Sequence, residues 1–199
     1  MIHQNIVLSI FKSTINEIFK LSEENWAILN TCLTVVKLPK GGFLLKSGDY
    51  CDSVFFIYEG YCRLFHVIDG KEVNINFHFE NEFITNIKSY IKKERSEYSI
   101  QANENMVIVK IEKNNLFEHA LKNRMEFESF GLKMLEFMIM KQDEHLNLFK
   151  LYTPQQRYEY LEKHQPEIIR RVALTQIASY LGVTRETLTR IRKKKMVKK

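Results

Sequence analysis

Between Leu174 and Arg192 the chain reads LTQIASYLGVTRETLTRIR, a stretch in which packing constrains nearly every position. Leu174, Ile177, Ala178 and Leu181 fall at i, i+3, i+4 and i+7, the spacing of one apolar helical face. Ala178 is small where two helices crossing at a turn leave little room. Gly182 stands where the first helix has to end, because a residue without Cβ enters the left-handed region at little cost. Val183 then plugs the corner, and Thr184 is an N-cap for a second helix whose inward residues are Leu188 and Ile191. The pattern predicts a helix-turn-helix that leaves Arg185, Glu186, Thr189 and Arg190 facing outward. An Arg fork matches guanine O6 and N7, and a carboxylate accepts from the cytosine amino group. Residues near the start of such a helix reach deepest into a major groove. The competing reading, a solvated surface helix laced with charge, leaves the register of Ala178, Gly182 and the apolar positions unexplained.

Charge points the same way. The formal net charge is +6, but it is unevenly spread: from Lys150 to Lys199 there are thirteen Lys or Arg against four Asp or Glu, a net of +9, while the rest of the chain is at −3. A basic end holding a helix-turn-helix is the electrostatic footprint that phosphate neutralisation requires. Thr175, Thr184, Thr187, Arg192 and Lys193 are the residues expected on the DNA backbone. For the last five residues, Lys195 to Lys199, a merely solubilising charge run is an equal reading.

With 199 residues, 45% of them apolar, the chain can bury a full core and is long enough for roughly two domains. No stretch approaches the roughly 18 uncharged apolar residues that span a bilayer, and Met1 to Ser22 has no cleavage site, so a cytoplasmic protein without membrane contact is expected. Cys32, Cys51 and Cys62 lack CxxC spacing and supply one ligand too few for an iron–sulfur cluster, so they read as buried thiols. His66 and His78 are isolated, with no His-x-His, HExxH or Walker loop around them. Neither an enzyme nor a metal site is expected.

The organisation before Lys150 falls into three parts. Ile2 to Leu33 carries helical spacing, with Ile6, Ile10, Phe11, Ile15, Ile18 and Phe19 on one side and Ser22 as a cap before Trp26 and Leu29. From Val35 to Ile111 come short strand-like runs, Val35–Leu38, Phe43–Leu45, Val54–Tyr58, Cys62–Ile68, Glu72–Phe79 and Val107–Ile111. Turn signals at Gly41-Gly42, Gly48-Asp49, Gly60 and Asp69-Gly70 separate them, which indicates a closed or sandwiched β unit. Asn114 to Leu151 then repeats like a helix, with Met125, Leu132, Ile139 and Leu146 at a and Glu128, Leu135, Gln142 and Phe149 at d. A second stripe, Phe127, Phe130, Met134, Phe137 and Met138, faces the β unit. The seam of Leu132, Leu135, Ile139, Gln142 and Leu146 is read as a subunit contact, with ordinary intrachain core as the alternative. Thr153, Pro154 and Gln156 start the next helix, Pro154 to His164, and mark a boundary between residues 1–151 and 152–199.

This order of parts resembles the CRP/FNR (catabolite-activator) family of bacterial transcription regulators. The resemblance rests on Gly42, Gly48-Asp49, Phe55 to Ile57, Gly60 and Asp69-Gly70 in the β unit, and on Arg185-Glu186-Thr187-Leu188-Thr189-Arg190, which is similar to the family's Arg-Glu-Thr-x-x-Arg recognition helix. It implies an α+β fold: an N-terminal β-roll (double-stranded β-helix) of the cyclic-nucleotide-binding kind, a long dimerisation helix over about 114–151, and a C-terminal winged helix-turn-helix. It further implies base contacts from Arg185, Glu186, Thr189 and Arg190. Its implied partners are a second copy of the chain, double-stranded DNA with a palindromic site, RNA polymerase and a small-molecule effector.

The effector region departs from the family. Glu82, Arg95 and Ser96 stand where cyclic-AMP-binding members grip ribose and phosphate, yet Asn81 replaces a glycine, the intervening loop is longer, and Glu94 and Glu97 set carboxylates beside a phosphate. A cyclic nucleotide is therefore disfavoured, and Arg95 solvated or paired with a neighbouring Glu is the expected state. Phe56, Phe65, Phe77 and Phe79 read as core rather than as the lining of a cavity for another apolar ligand. The rival to DNA binding is a ligand-sensing signalling module whose C-terminal part contacts protein.

Overall fold

The computed structural model describes residues 4–113 and 124–196, with residues 124, 141–148 and 195–196 described by their backbone. The first described elements are two helices, α1 (Gln4–Ile18) and α2 (Glu23–Thr31), the second begun by Ser22, whose Oγ accepts from the Asn25 N–H. The buried face of α1 runs through Val7, Phe11 and Ile15 at i, i+4 and i+8. Ile6 and Ile10, expected to point inward, are consequently 51% and 41% exposed.

Eight antiparallel strands come next: β1 (Leu33–Leu38), β2 (Phe43–Leu45), β3 (Ser53–Glu59), β4 (Cys62–Ile68), β5 (Lys71–His78), β6 (Phe83–Ile84), β7 (Ser99–Ala102) and β8 (Met106–Glu112). They form two four-stranded sheets, ordered β1-β8-β3-β6 and β2-β7-β4-β5. Strand alternation distributes the core. Phe55, Ile57, Leu64, Ile100 and Ile108 share one cluster contributed by both sheets, whereas Phe56 points the other way and meets Phe11 at 5.4 Å and Phe83 at 5.1 Å between ring centroids. The hairpin between β4 and β5 turns on Asp69 and Gly70, with φ of 50° and 73°, the two positive angles of a type I′ turn. β6, β7 and the short helix α3 (Ile87–Lys92) are too short to show a period in the sequence pattern.

The long helix α4 (Arg124–Leu151) lays Phe127, Phe130 and Met134 against the cluster formed by α1 and the first sheet, as its second stripe predicts. Residues 114–123 of the expected helix lie outside the described residues. On the other flank Met125, Leu132 and Ile139 are 83%, 68% and 50% exposed, and Leu135 is half-buried. The side chains of Gln142 and Leu146 lie outside the described residues. Phe149 leaves the expected seam: it packs edge-on against Tyr180 at 5.8 Å, under the Arg157 guanidinium at 4.8 Å.

Among the described residues four helices follow: α5 (Pro154–His164), α6 (Pro166–Arg171), α7 (Leu174–Leu181) and α8 (Arg185–Met196). α5 starts on the capping box that Thr153, Pro154 and Gln156 predict. Among the described residues no strand comes after β8, so the wing that the resemblance implies for the C-terminal part is not among the described elements. These helices pack on one another through Tyr158, Leu161, Ile168, Ile177, Ala178, Leu181 and Leu188, and the same cluster includes Tyr61, in the turn before β4, and Phe77 of β5. β5 is one of the two edge strands of the second sheet. α7 covers it, with the Ser179 hydroxyl accepting from the Asn74 N–H at 3.0 Å and donating to the Glu72 carbonyl at 3.3 Å, so a side chain satisfies an edge that would otherwise be open to pairing. Among the described residues no helix is long and apolar enough to cross a membrane.

Candidate nucleic-acid interface

The corner between α7 and α8 is built as its sequence dictates. Ile177, Ala178 and Leu181 are buried, and Leu188 of α8 is fully buried against them, while Leu174 and Ile191 are half-buried at the margins. Gly182 adopts φ +69°, and the Val183 N–H donates to the Ala178 carbonyl at 3.0 Å, which closes the end of α7 in a left-handed cap. The Thr184 Oγ1 accepts from the Thr187 N–H at 3.2 Å and so starts α8.

With one flank of α8 locked in this way, the other faces outward. Arg185, Glu186, Thr189, Arg190, Lys193 and Lys194 line one open concave surface, four cationic side chains to one carboxylate. Arg185, Glu186, Arg190, Arg192 and Lys193 are exposed, as are Thr175 and Thr184 at the corner; Thr187 and Thr189 are half-buried. The Thr189 hydroxyl donates to the Arg185 carbonyl at 2.9 Å, so its lone pairs, not its proton, face outward. Glu186 sits in the first turn and Arg190 one turn further on, a spacing that puts both on the same flank.

Residues without a sequence signal hold this corner in place. The Arg157 guanidinium donates to three carbonyls, Tyr152 at 2.9 Å, Phe149 at 2.9 Å and Leu181 at 3.1 Å, which ties the end of α4 to the end of α7. Tyr180 is buried between Phe77 and Phe149, and burial pushes its phenol above the ordinary range. A tyrosine at a helix position one short of the apolar stripe gives no hint of this.

The three residues that the resemblance sets at an effector site each have a partner within the protein. Glu82 pairs with His78 Nδ1 at 2.8 Å. Arg95 donates to the Gly48 carbonyl at 2.7 Å and lies over the Tyr50 ring at 4.9 Å, so its partner is backbone and an aromatic face instead of a neighbouring Glu. Ser96 is buried, donating to the Tyr98 carbonyl at 2.6 Å and accepting from Asn86 Nδ2 at 2.8 Å. The four phenylalanines also separate: Phe56 joins the α1 cluster, Phe77 and Phe79 pack toward the C-terminal helices, and Phe65 is stacked under the Arg63 guanidinium at 4.1 Å. All three cysteines are free and buried, and burial raises the Cys62 thiol well above its ordinary value, which disfavours the reactive thiolate.

Comparison with known proteins agrees with this architecture. The cyclic nucleotide-binding domain family matches residues 35–123, a span that begins within β1 and runs past the end of β8. None of the curated proteins matches the chain in sequence. Among solved structures, a CRP/FNR-family protein from Eubacterium rectale is similar at 17% identity and a TM-score of 0.64, covering 89% of this chain and 85% of its own. FixK2 from Bradyrhizobium japonicum is similar at 17% identity and a TM-score of 0.63, covering 83% and 85%. The Catabolite Activator Protein of Thermus thermophilus is similar at 16% identity and a TM-score of 0.54, covering 89% and 84%. Residues 35–123 thus match the cyclic nucleotide-binding domain family, in a chain whose fold is similar to that of solved CRP/FNR-type regulators.

Proposed function

We propose that this protein is a sequence-specific, double-stranded-DNA-binding transcription regulator of the CRP/FNR type that acts as a homodimer on a palindromic site. One observation carries the reading: α8 is locked along Leu188 and presents Arg185, Glu186 and Arg190 together on its free flank. In this reading residues 152–199 are the helix-turn-helix DNA-binding domain and residues 1–151 the β-roll with its dimer helix. Arg185, Glu186, Thr189 and Arg190 contact bases, and Thr175, Thr184, Thr187, Arg192 and Lys193 contact the backbone. The net charge of +9 from Lys150 onward supplies the sequence-independent attraction.

The exposed flank of α4 supports the dimer. A helix that leaves Met125, Leu132 and Ile139 in water while its opposite flank is buried has an apolar surface that a second copy would cover across a two-fold axis. The β-roll in this reading does not need a cyclic nucleotide, because Glu82, Arg95 and Ser96 already have protein partners.

Equilibrium binding of the full chain to a matched duplex, beside duplexes altered at single positions, tests the reading. Arg185→Ala should lose discrimination at one base pair per half-site, at a cost of about 1–3 kcal/mol. Equal selectivity in that variant would remove α8 from the role of reading helix. Binding with neither base preference nor salt dependence would point to a protein-contacting domain instead.

A further inference from the structure

The C-terminal helices are attached to the β-roll by a built ionic clamp. Arg171 is the last residue of α6, and only Val172 and Ala173 separate it from α7. Its guanidinium donates from Nη1 to Glu80 Oε2 and from Nη2 to Glu80 Oε1, both at 2.8 Å, the fork-to-fork geometry of a bidentate pair. The remaining edge meets Glu104, through Nε at 3.2 Å and Nη2 at 2.5 Å. Glu80 lies between β5 and β6, and Glu104 lies between β7 and β8, so one cation joins two separate turns of the β-roll.

Each component is itself held. Glu80 Oε1 also accepts the Gly60 N–H at 2.8 Å. Tyr61 and Phe79 stack at 5.1 Å, and the guanidinium lies over both rings at 5.2 Å and 5.4 Å. The Tyr61 hydroxyl donates to the Arg171 carbonyl at 3.1 Å and accepts from Asn103 Nδ2 at 3.3 Å, and Asn103 donates onward to Gln176 Oε1 of α7 at 2.7 Å. The Arg171 side chain is 23% exposed, enough burial to reduce solvent screening of the pair.

We infer that Arg171, with Glu80 and Glu104, is a positioning residue that fixes the orientation of the reading helix relative to the β-roll and thereby sets the half-site spacing the dimer accepts. The inference rests on the DNA-binding reading proposed above. The mechanical link is short: the clamp fixes the start of α7, α7 shares its core with α8 through Ala178, Leu181 and Leu188, and Ser179 holds the far end of α7 on β5. Base reading within one half-site depends on α8. The distance and phase between two half-sites depend on how both α8 helices are held to the dimerised body, and each inserted base pair turns one half-site by about 35°.

The experiment measures affinity for duplexes carrying two half-sites at the native separation and at separations changed by one base pair or two. Wild type is compared with Arg171→Met, which removes the charge and keeps most of the volume, and with a Glu80→Gln/Glu104→Gln double variant, which leaves the C-terminal helices untouched. Wild type should lose about ten-fold or more at the altered separations. Both variants should keep the same half-site sequence preference and bind all separations within about three-fold of one another. A wild-type separation profile in both variants overturns the clamp while leaving the DNA-binding reading intact. Loss of half-site preference in the double variant also overturns it, since the residues would then serve folding. Failure of wild type to prefer any duplex overturns the underlying reading, and the clamp's role with it.

Discussion

Gly60 illustrates how a single residue constrains the site. Its φ is +85°, and a Cβ built on it would lie 2.5 Å from the Asn105 carbonyl oxygen, so the turn between β3 and β4 packs directly on the turn between β7 and β8. Gly60→Ala should destabilise the fold by about 1–3 kcal/mol, read as a lower urea midpoint, because both the backbone angle and the space forbid a side chain. The same glycine donates its N–H to Glu80. Burial opposes ionisation of Glu80, but the Arg171 guanidinium and the backbone donors outweigh it and hold the carboxyl below its ordinary value. A depressed carboxyl contributes stability that is present above its unfolded-state pKa and is lost as pH falls through the folded value. Urea midpoints should therefore decline on acidification through and below the ordinary carboxylate range, more steeply in wild type than in Glu80→Gln. Identical slopes in the two proteins would show that the pair contributes nothing to the linkage.

At the scale of elements, what could be read in advance was what repeats locally. The α7–α8 corner was legible because Ala178, Gly182, Thr184 and Leu188 each carry a helical-register signal, and the hairpin at Asp69-Gly70 because two positive φ angles demand those residue types. β6 and β7 were not legible, since a two-residue strand and a strand with a buried serine at its head have no period to detect. Phe149 was placed on the wrong flank of α4 because heptad counting assumes one partner along the whole helix, whereas its last turn meets α5 and α7. Arg157 and Arg171 were missed altogether: a lone arginine looks alike whether it is solvated or bonded to carbonyls and carboxylates distant in sequence. For α4 itself, Leu132→Lys should weaken self-association. A two-fold interface counts the change twice, and each lost Leu burial is worth about 1.5–3 kcal/mol, so the shift is large enough for sedimentation to resolve. An unchanged oligomeric state in that variant would assign the exposed stripe to something other than a subunit contact.

For the molecule as a whole, the arrangement divides labour between a slightly acidic body and a basic end, with the clamp at Arg171 and the edge contact at Ser179 joining them. In the proposed DNA-binding reading, long-range attraction to phosphate belongs to the C-terminal helices, and Lys193→Ala should weaken binding about equally for all sequences and lower the salt slope by about 1 per subunit. Cyclic AMP should leave DNA affinity unchanged, because the groups that would hold its phosphate are already bonded within the β-roll; titration at fixed duplex concentration checks this. The most direct test of the central claim is selection of bound sequences from random duplexes by the full chain at physiological salt. The expected result is enrichment of a palindrome whose half-sites are one helical turn apart and which degrades at defined positions when Arg185 or Glu186 is replaced by Ala. Enrichment of no motif, or of one that is indifferent to both substitutions, would contradict it.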